Sequence, residues 1–506
     1  LVRLLHGIDT VTVNDTTNTL STKIIFGNNR KPQGVFNYRD MSKPVGPEQY
    51  EEYREKFGPD YKFRVFNENG LPMYRDFVPG EDLPKGYSIL PFFKNYTFDK
   101  GKSTFMGQEI GEGGRVFSRP GMYGDVDDED IASQHPHSAI AEVIFGPEFT
   151  KRFAELVEAR VAIKHKDFEA AGKMLGGALK PYLNEEQASD LAQALKIVIN
   201  SIYGLTSASF ENPFRDPRNI DNIVAKRGAL FMTLLKSEVE RLGYTVAHIK
   251  TDSIKIPNAT PYIVNFVRKF GEEFGYTFEQ EACFEKFCLV NDAVYIAKFK
   301  DGKNAGKWTA TGAQFAVPYV FKTLFSKEPI EFEDMCETKA VKTALYLDMN
   351  EGMEDVSKLE QELYAIRKDD REHERQKELE EIIAKNHSYH FVGRVGLFCP
   401  VKPGAGGGEL LREGTDKDGN TKYYSATGAK GYRWMESEMV KVLGKENDID
   451  RSYYDKLVND AVDTISQFGD FEWFVSDEPY VCDIEGWPPE EDLPWYTDDD
   501  KLFQVR

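Results

Sequence analysis

The nine residues Lys196 to Gly204, KIVINSIYG, constrain this chain more than any other stretch. Placed on an α-helix, Lys196, Asn200, Tyr203 and Gly204 fall at i, i+4, i+7 and i+8 and share one face. Leu195, Val198, Ile199 and Ile202 form the opposite face. Such a helix buries its apolar side in a core. Its other side offers a cation, an amide, a phenol and bare backbone to a ligand with negative charge and a flat ring. Taken alone, it would be an ordinary amphipathic helix; its neighbours in sequence argue for more.

Two aspartates flank it, each at the end of a short strand-like segment. Asp130 closes the acidic run Asp125–Asp130 and is followed by Ile131, Ala132 and Ser133, then by a helical pattern from His137 to Phe145. Asp252 sits in Thr245–Ile256, where β-branched residues on both sides of Thr251-Asp252-Ser253 predict a tight hairpin with the carboxylate at its tip. Carboxylates brought to strand ends from distant parts of a chain suit two-metal phosphoryl transfer, in which hard oxygen ligands hold two Mg²⁺ roughly 4 Å apart.

These segments resemble the motifs of family B DNA polymerases, specifically those of bacteriophages. Lys-x-x-x-Asn-Ser-x-Tyr-Gly is intact at Lys196, Asn200, Ser201, Tyr203 and Gly204. Asp130, Ser133 and Pro136 match the family's first motif; Thr251, Asp252 and Ser253 match its third. The order is also the family's, and the matched core covers about residues 115 to 300. The resemblance implies an α+β right-hand polymerase with an antiparallel-sheet palm, helical fingers and a thumb. It implies Asp130, Asp252 and the Ile131 carbonyl as ligands of two Mg²⁺, or Mn²⁺ in their place. Lys196, Asn200 and Tyr203, with Ser133 and His135, would form the nucleotide pocket, helped by Arg160 and Lys164 at i and i+4 on a fingers helix. Gly204, Lys250, Thr251, Ser253 and Tyr295 would meet the DNA.

The departures are specific. His135 stands where the family carries the Tyr that excludes a ribose 2′-hydroxyl, and Gln134 and His137 replace a Leu and a Ser. Lys250 takes the place of the third motif's first Asp. The family's Lys-x-Tyr element falls at Ala293-Val-Tyr295 without its lysine, for which Lys298 and Lys300 are the nearby candidates.

A net charge of −20 opposes binding to a polyanion, but it is unevenly spread. Twelve acidic residues and no Lys or Arg lie between Asp470 and Asp500, a segment that also holds Trp473, Trp487 and Trp495. A DNA track would need a local stripe, for which Lys322, Lys327, Lys339, Lys342, Arg394, Lys402, Lys422, Lys430 and Arg433 are candidates. The five cysteines include no Cys-x-x-Cys pair, which argues against structural zinc and a disulfide scaffold. The sequence holds no apolar run of membrane-spanning length and no secretory signal, so a soluble protein of a cytoplasm is expected, the host's if it is phage-encoded.

The expected organisation is an N-terminal region (1–114) with strand-like patches at Thr10–Val13 and Thr22–Phe26, palm (115–146), fingers (147–204) and palm again (205–325). A thumb and template-binding region (326–469) and an acidic tail (470–506) follow. The fingers would be two helices, Pro147–Leu175 and Asn184–Tyr203, and Lys358–Lys385 would be one long exposed helix, with a solvated helical hairpin as the alternative. No exonuclease motif and no protein-priming insert is found, so extension of an ordinary primer without proofreading is expected. Its partners would be primer-template DNA, deoxynucleoside triphosphates and a separate exonuclease or other replication proteins. Two alternatives stay open: a palm polymerase using RNA or ribonucleotides, and an inactive DNA-binding replication scaffold.

Overall fold

The computed structural model describes residues 11–27 except 13, then 63–66, 72–75, 93 and 97–99. It also describes 102–482 except 112, 142–144, 209, 211, 215–222, 350–355, 367–371 and 386. The expectations for Thr10, Val13, Trp487 and Trp495 lie outside the described residues. The chain combines helices with antiparallel sheet and divides into two units. The first comprises 1–292, 299–305 and 480–506; the second comprises 293–298 and 306–479.

The first unit is built on an antiparallel sheet. In chain order its elements are α1 (Thr17–Phe26), β1 (Arg115–Ser118), β2 (Gly121–Ile131), α2 (Gln134–Ala141), α3 (Gly146–Lys164) and α4 (Ala188–Thr206). After them come α5 (Ile223–Arg241), β3 (His248–Thr251), β4 (Ser253–Pro257), α6 (Pro261–Glu273) and β5 (Phe278–Asn291). The strands lie in the order β5-β2-β4-β3-β1.

The acidic run fills the second half of an eleven-residue strand, β2, which ends at Ile131; Asp130 is at a strand end as expected, but the strand is longer than the short one expected. Carboxylates suit strands poorly, and here the four that precede Asp130 are each held by a partner from elsewhere in the chain. Asp125 pairs with Lys300 (2.5 Å) and Asp128 with Lys255 (2.6 Å). Asp127 accepts from the Gln280 amide (2.6 Å), and Glu129 takes both Nε and Nη2 of Arg268 (2.9 and 2.7 Å). Side chains alternate along a strand, so Asp127 and Glu129 face one side of the sheet and Asp128 and Asp130 the other.

Helices α5 and α6 cover the first of these sides, where Phe231, Leu235, Phe270, Ile249, Ile254 and Phe278 share one core. A second core joins α1, α3 and α4 through Ile25, Phe26, Phe153, Leu156, Leu195 and Ile199. The expected strand at Thr22–Phe26 is therefore a helix. Thr16 caps it by accepting from the Thr19 N–H, and Arg152 of α3 donates to the Ile25 carbonyl (2.7 Å). The helix expected over Pro147–Leu175 stops at Lys164, because Lys166 turns into the left-handed region (φ 60°). A new helix, Phe168–Lys173, begins after the Asp167 cap.

In the second unit a hairpin pairs Tyr295–Lys298 with Trp308–Thr311. A five-stranded sheet runs in the order Thr421–Ser425, Glu409–Thr415, Glu337–Asp348, Tyr389–Val401 and Arg433–Glu436. Phe398, Leu345, Trp434 and Tyr454 fill its core. Over Lys358–Lys385 there are two helices, Val356–Ile366 and His373–Lys385, so the single long helix gives way to the alternative of a helical pair. Among the described residues no helix is long and apolar enough to cross a membrane.

Candidate active site

Asp130 and Asp252 come together because two turns are bonded to each other. The β3–β4 hairpin is closed by pairing of Lys250 with Ser253, as its β-branched flanks predict, and Asp252 occupies its tip. The next neighbour of β4 is β2, where Asp130 pairs with Ser253. The Ile131 N–H then donates to the Asp252 carbonyl (2.9 Å), and the Ala132 N–H donates to the Thr277 carbonyl (2.9 Å). Thus β2 ends where its last peptide groups meet the hairpin tip and the start of β5. Ser133 reverses the chain with φ 61°, and α2 begins at Gln134.

These turns open onto a cavity of about 290 Å³, polar on one side and walled by helices on the other. Asp130, Ile131, Ser133, His135 and Asp252 line it from the sheet side. Arg160 and Lys164 of α3, with Lys196, Asn200 and Tyr203 of α4, line it from the helices. The helical face expected of α4 is the observed one: Leu195, Ile199 and Ile202 are buried while Lys196 and Asn200 are exposed.

Burial is the main influence that lifts the Asp130 carboxyl to about 7, followed by the like charges of Asp252, Asp128 and Glu281. Burial also raises Asp252, opposed by a backbone hydrogen bond and by His135. Two carboxyls that resist ionisation beside each other form a site that a cation stabilises. Among the described residues no three of His, Cys, Asp and Glu converge tightly enough to hold a metal by themselves. Such a pair suits Mg²⁺, which takes one or two carboxylates and completes its octahedron with waters and substrate phosphates.

His135 is driven towards the neutral form by burial, and its ring lies stacked on Tyr203. Arg160 reaches Ser133 Oγ (3.4 Å), which ties α3 to the Asp130 turn. Lys164 is held by Glu279 (3.0 Å), which also faces His165 (3.3 Å).

No protein-family model matches the chain, and neither does any curated protein. Among solved structures, it is similar to the family B DNA polymerase from the hyperthermophilic archaeon Pyrobaculum calidifontis. The identity is 15%, the TM-score 0.38, and the alignment covers 72% of this chain and 49% of that one. The similarity is distant and spans about half the length of that polymerase.

Ten of the expected site residues line the cavity; Gly204, Lys250, Thr251, Ser253 and Tyr295 do not. Thr251 and Ser253 flank the hairpin tip, and Lys250 is exposed on the face of the sheet that carries Asp130. Gly204 is exposed on α4. Tyr295 belongs to the second unit, opposite Thr311 in its hairpin. Lys298 and Lys300 are engaged with Asp477 (3.2 Å) and Asp125.

Several cations of the expected DNA stripe hold the second unit together. Arg433 donates to the Gly407 carbonyl (2.6 Å), Lys322 pairs with Asp334 (2.8 Å) and Lys339 with Glu337 (2.9 Å). Sequence reasoning missed Glu279, Glu281 and Gln134 as lining residues. For the glutamates the signal was present: Glu279-Gln-Glu281 has the two-residue period of one strand face, and Glu279 pairs with Asp130 in register.

Proposed function

We propose that this chain is a DNA-templated DNA polymerase of family B type that extends a primer with deoxynucleoside triphosphates during phage DNA replication. The observation that carries this reading is the cavity in which Asp130 and Asp252, bonded turn to turn, face Arg160 and Lys196 on two helices. A cluster of carboxylates opposite a cluster of cations is complementary to a triphosphate carried by divalent cations.

In this reading the sheet β1–β5 is the palm, α3 and α4 are the fingers, and residues 326–469 form the thumb and template-binding region. Residues 1–114 lead into the palm, and 470–506 are an acidic tail. Asp130, Asp252 and the Ile131 carbonyl hold Mg²⁺, with Mn²⁺ as a substitute. Ions held there would lower the pKa of the attacking primer hydroxyl and would neutralise charge on the leaving pyrophosphate. Lys196 and Arg160 neutralise the triphosphate, and Asn200, Tyr203 and His135 shape the pocket for base and sugar. Lys164 exchanges its Glu279 partner for phosphate when substrate enters. Gly204, Lys250, Thr251, Ser253 and Tyr295 meet the DNA.

Extension of a primed DNA template with Mg²⁺ tests the reading, with deoxynucleotides and ribonucleotides offered separately beside Asp130→Asn and Asp252→Asn. Template-dependent addition abolished by both substitutions is the expected result. Tight template binding without extension by the intact chain would instead support a replication scaffold, the reading that Lys250 in place of an acid favours.

A further inference from the structure

Gln134 has no part in the chemistry just described, yet its side chain is among the most confined near the cavity. It is 2% exposed on the first turn of α2. Its Nε2 donates to the Thr251 carbonyl (2.9 Å), while its Oε1 has no hydrogen-bond partner among the described residues. It lies against bare backbone of α5. A Cβ at Gly228 would meet the Gln134 Cδ and Oε1 at 2.6 Å, so glycine there makes room for this amide.

The carbonyl that Gln134 holds is the vulnerable part of the hairpin. The Asp252 N–H donates to the Lys250 carbonyl (2.8 Å), a three-residue turn with Thr251 at its centre. Thr251 has φ 61°, a conformation that a β-branched residue adopts only when its surroundings impose it. Two bonds from the opposite turn impose it here. The peptide oxygen preceding Asp252 is held by Gln134, and the one following it is held by the Ile131 N–H (2.9 Å). Asp252 is thereby bracketed at both of its peptide groups by residues one and four places after Asp130.

We propose that Gln134 is a positioning residue that fixes Asp252 relative to Asp130 and so sets the divalent-cation affinity of the pair. The inference rests on reading these carboxylates as a divalent-cation site. A side chain of similar volume without a donor would fill the space but release the Thr251 carbonyl. The hairpin tip would then relax, and the two carboxylates would hold a cation less well. Mg²⁺, which demands near-ideal geometry, should suffer more than Mn²⁺. Groups that orient metal ligands without touching the metal change its affinity about 10- to 100-fold when removed.

The test is Mn²⁺ binding to the full chain, read by electron paramagnetic resonance of the free ion without nucleotide or DNA. The proteins compared are the intact chain, Gln134→Met, Gly228→Ala and Asp252→Asn. Gln134→Met is expected to raise the Mn²⁺ dissociation constant about tenfold while the metal-free melting temperature stays within a few degrees. Gly228→Ala, which pushes the amide aside without removing it, should weaken binding in the same direction by about threefold, less than the effect of removing the group outright. In primer extension, the Mg²⁺ requirement of Gln134→Met should rise more than its Mn²⁺ requirement. Unchanged Mn²⁺ binding in Gln134→Met, beside loss in Asp252→Asn, would overturn the inference and leave the cation site standing. No Mn²⁺ binding by the intact chain would overturn both.

Discussion

The imidazole of His135 lies flat on the phenol ring of Tyr203, with centroids 4.5 Å apart and planes 5° from parallel. The contact joins the first turn of α2 to the cavity face of α4, so the wall beside Asp252 is built from two elements at once. A neutral imidazole stacks without carrying a charge into the pocket, and burial keeps it neutral. If this ring is the sugar gate, His135→Ala should raise the ribonucleotide to deoxynucleotide ratio of kcat/KM about tenfold, the scale of one lost packing contact. An unchanged ratio would remove His135 from sugar selection.

Asp130 predicts an unusual pH response. Its folded pKa of about 7 exceeds the ordinary aspartate value near 3.9 that it has when unfolded. The folded chain therefore holds a proton that the unfolded chain releases. Its contribution to stability is greatest below about pH 4 and is lost as pH rises through about 7. Without divalent cations, Asp130→Asn should stabilise the chain at about pH 8 by about 1 kcal/mol, allowing for solvent screening, and by little at about pH 4. Denaturant titrations at the two pH values, repeated with Mg²⁺, would check this. Mg²⁺ should stabilise the intact chain at the higher pH and leave the variant unmoved.

Glu129 is fully buried and depends on Arg268 for both of its oxygens. Arg268→Met would leave an uncompensated carboxylate beneath the sheet, and a loss of about 3 kcal/mol is expected. Adding Glu129→Gln should recover most of it, because the double variant buries no charge. A double-mutant cycle by urea unfolding measures the coupling; purely additive losses would show that the pair acts independently.

Gly124 of β2 lies under the ring of Tyr480, where a Cβ would fall 2.1 Å from two ring carbons. Gly124→Ala must therefore displace the tyrosine, at about 1–3 kcal/mol for overpacking. Tyr480→Ala in the same chain should make the alanine at 124 nearly neutral. Thermal melts of the two single variants and the double variant would show this, and a full loss that persists in the double variant would place the strain elsewhere.

The local patterns carried much of the site by themselves. The face of α4 followed from the spacing of Lys196, Asn200 and Tyr203, since periodicity needs no partner to be read. The hairpin around Asp252 followed from its β-branched flanks. The acidic run before Asp130 was less legible, because carboxylates suit strands poorly and only a short strand end was read there. It became a central strand only through Lys300, Gln280, Lys255 and Arg268, each more than a hundred positions away. Thr22–Phe26 misled in the same way: β-branched residues favour strands, but Thr16 capping and burial against α3 and α4 made a helix.

Sequence alone determined which residue types were available for the site, their order along the chain, and the one helix face on which three of them meet. Tertiary structure decided which carboxylates share a face, which cations are already spent in ion pairs, and that an amide at Gln134 bridges the two turns. Those are properties of pairs brought together by sheet register and helix packing. A strand's neighbour, unlike its own alternation, is chosen by contacts distant in sequence.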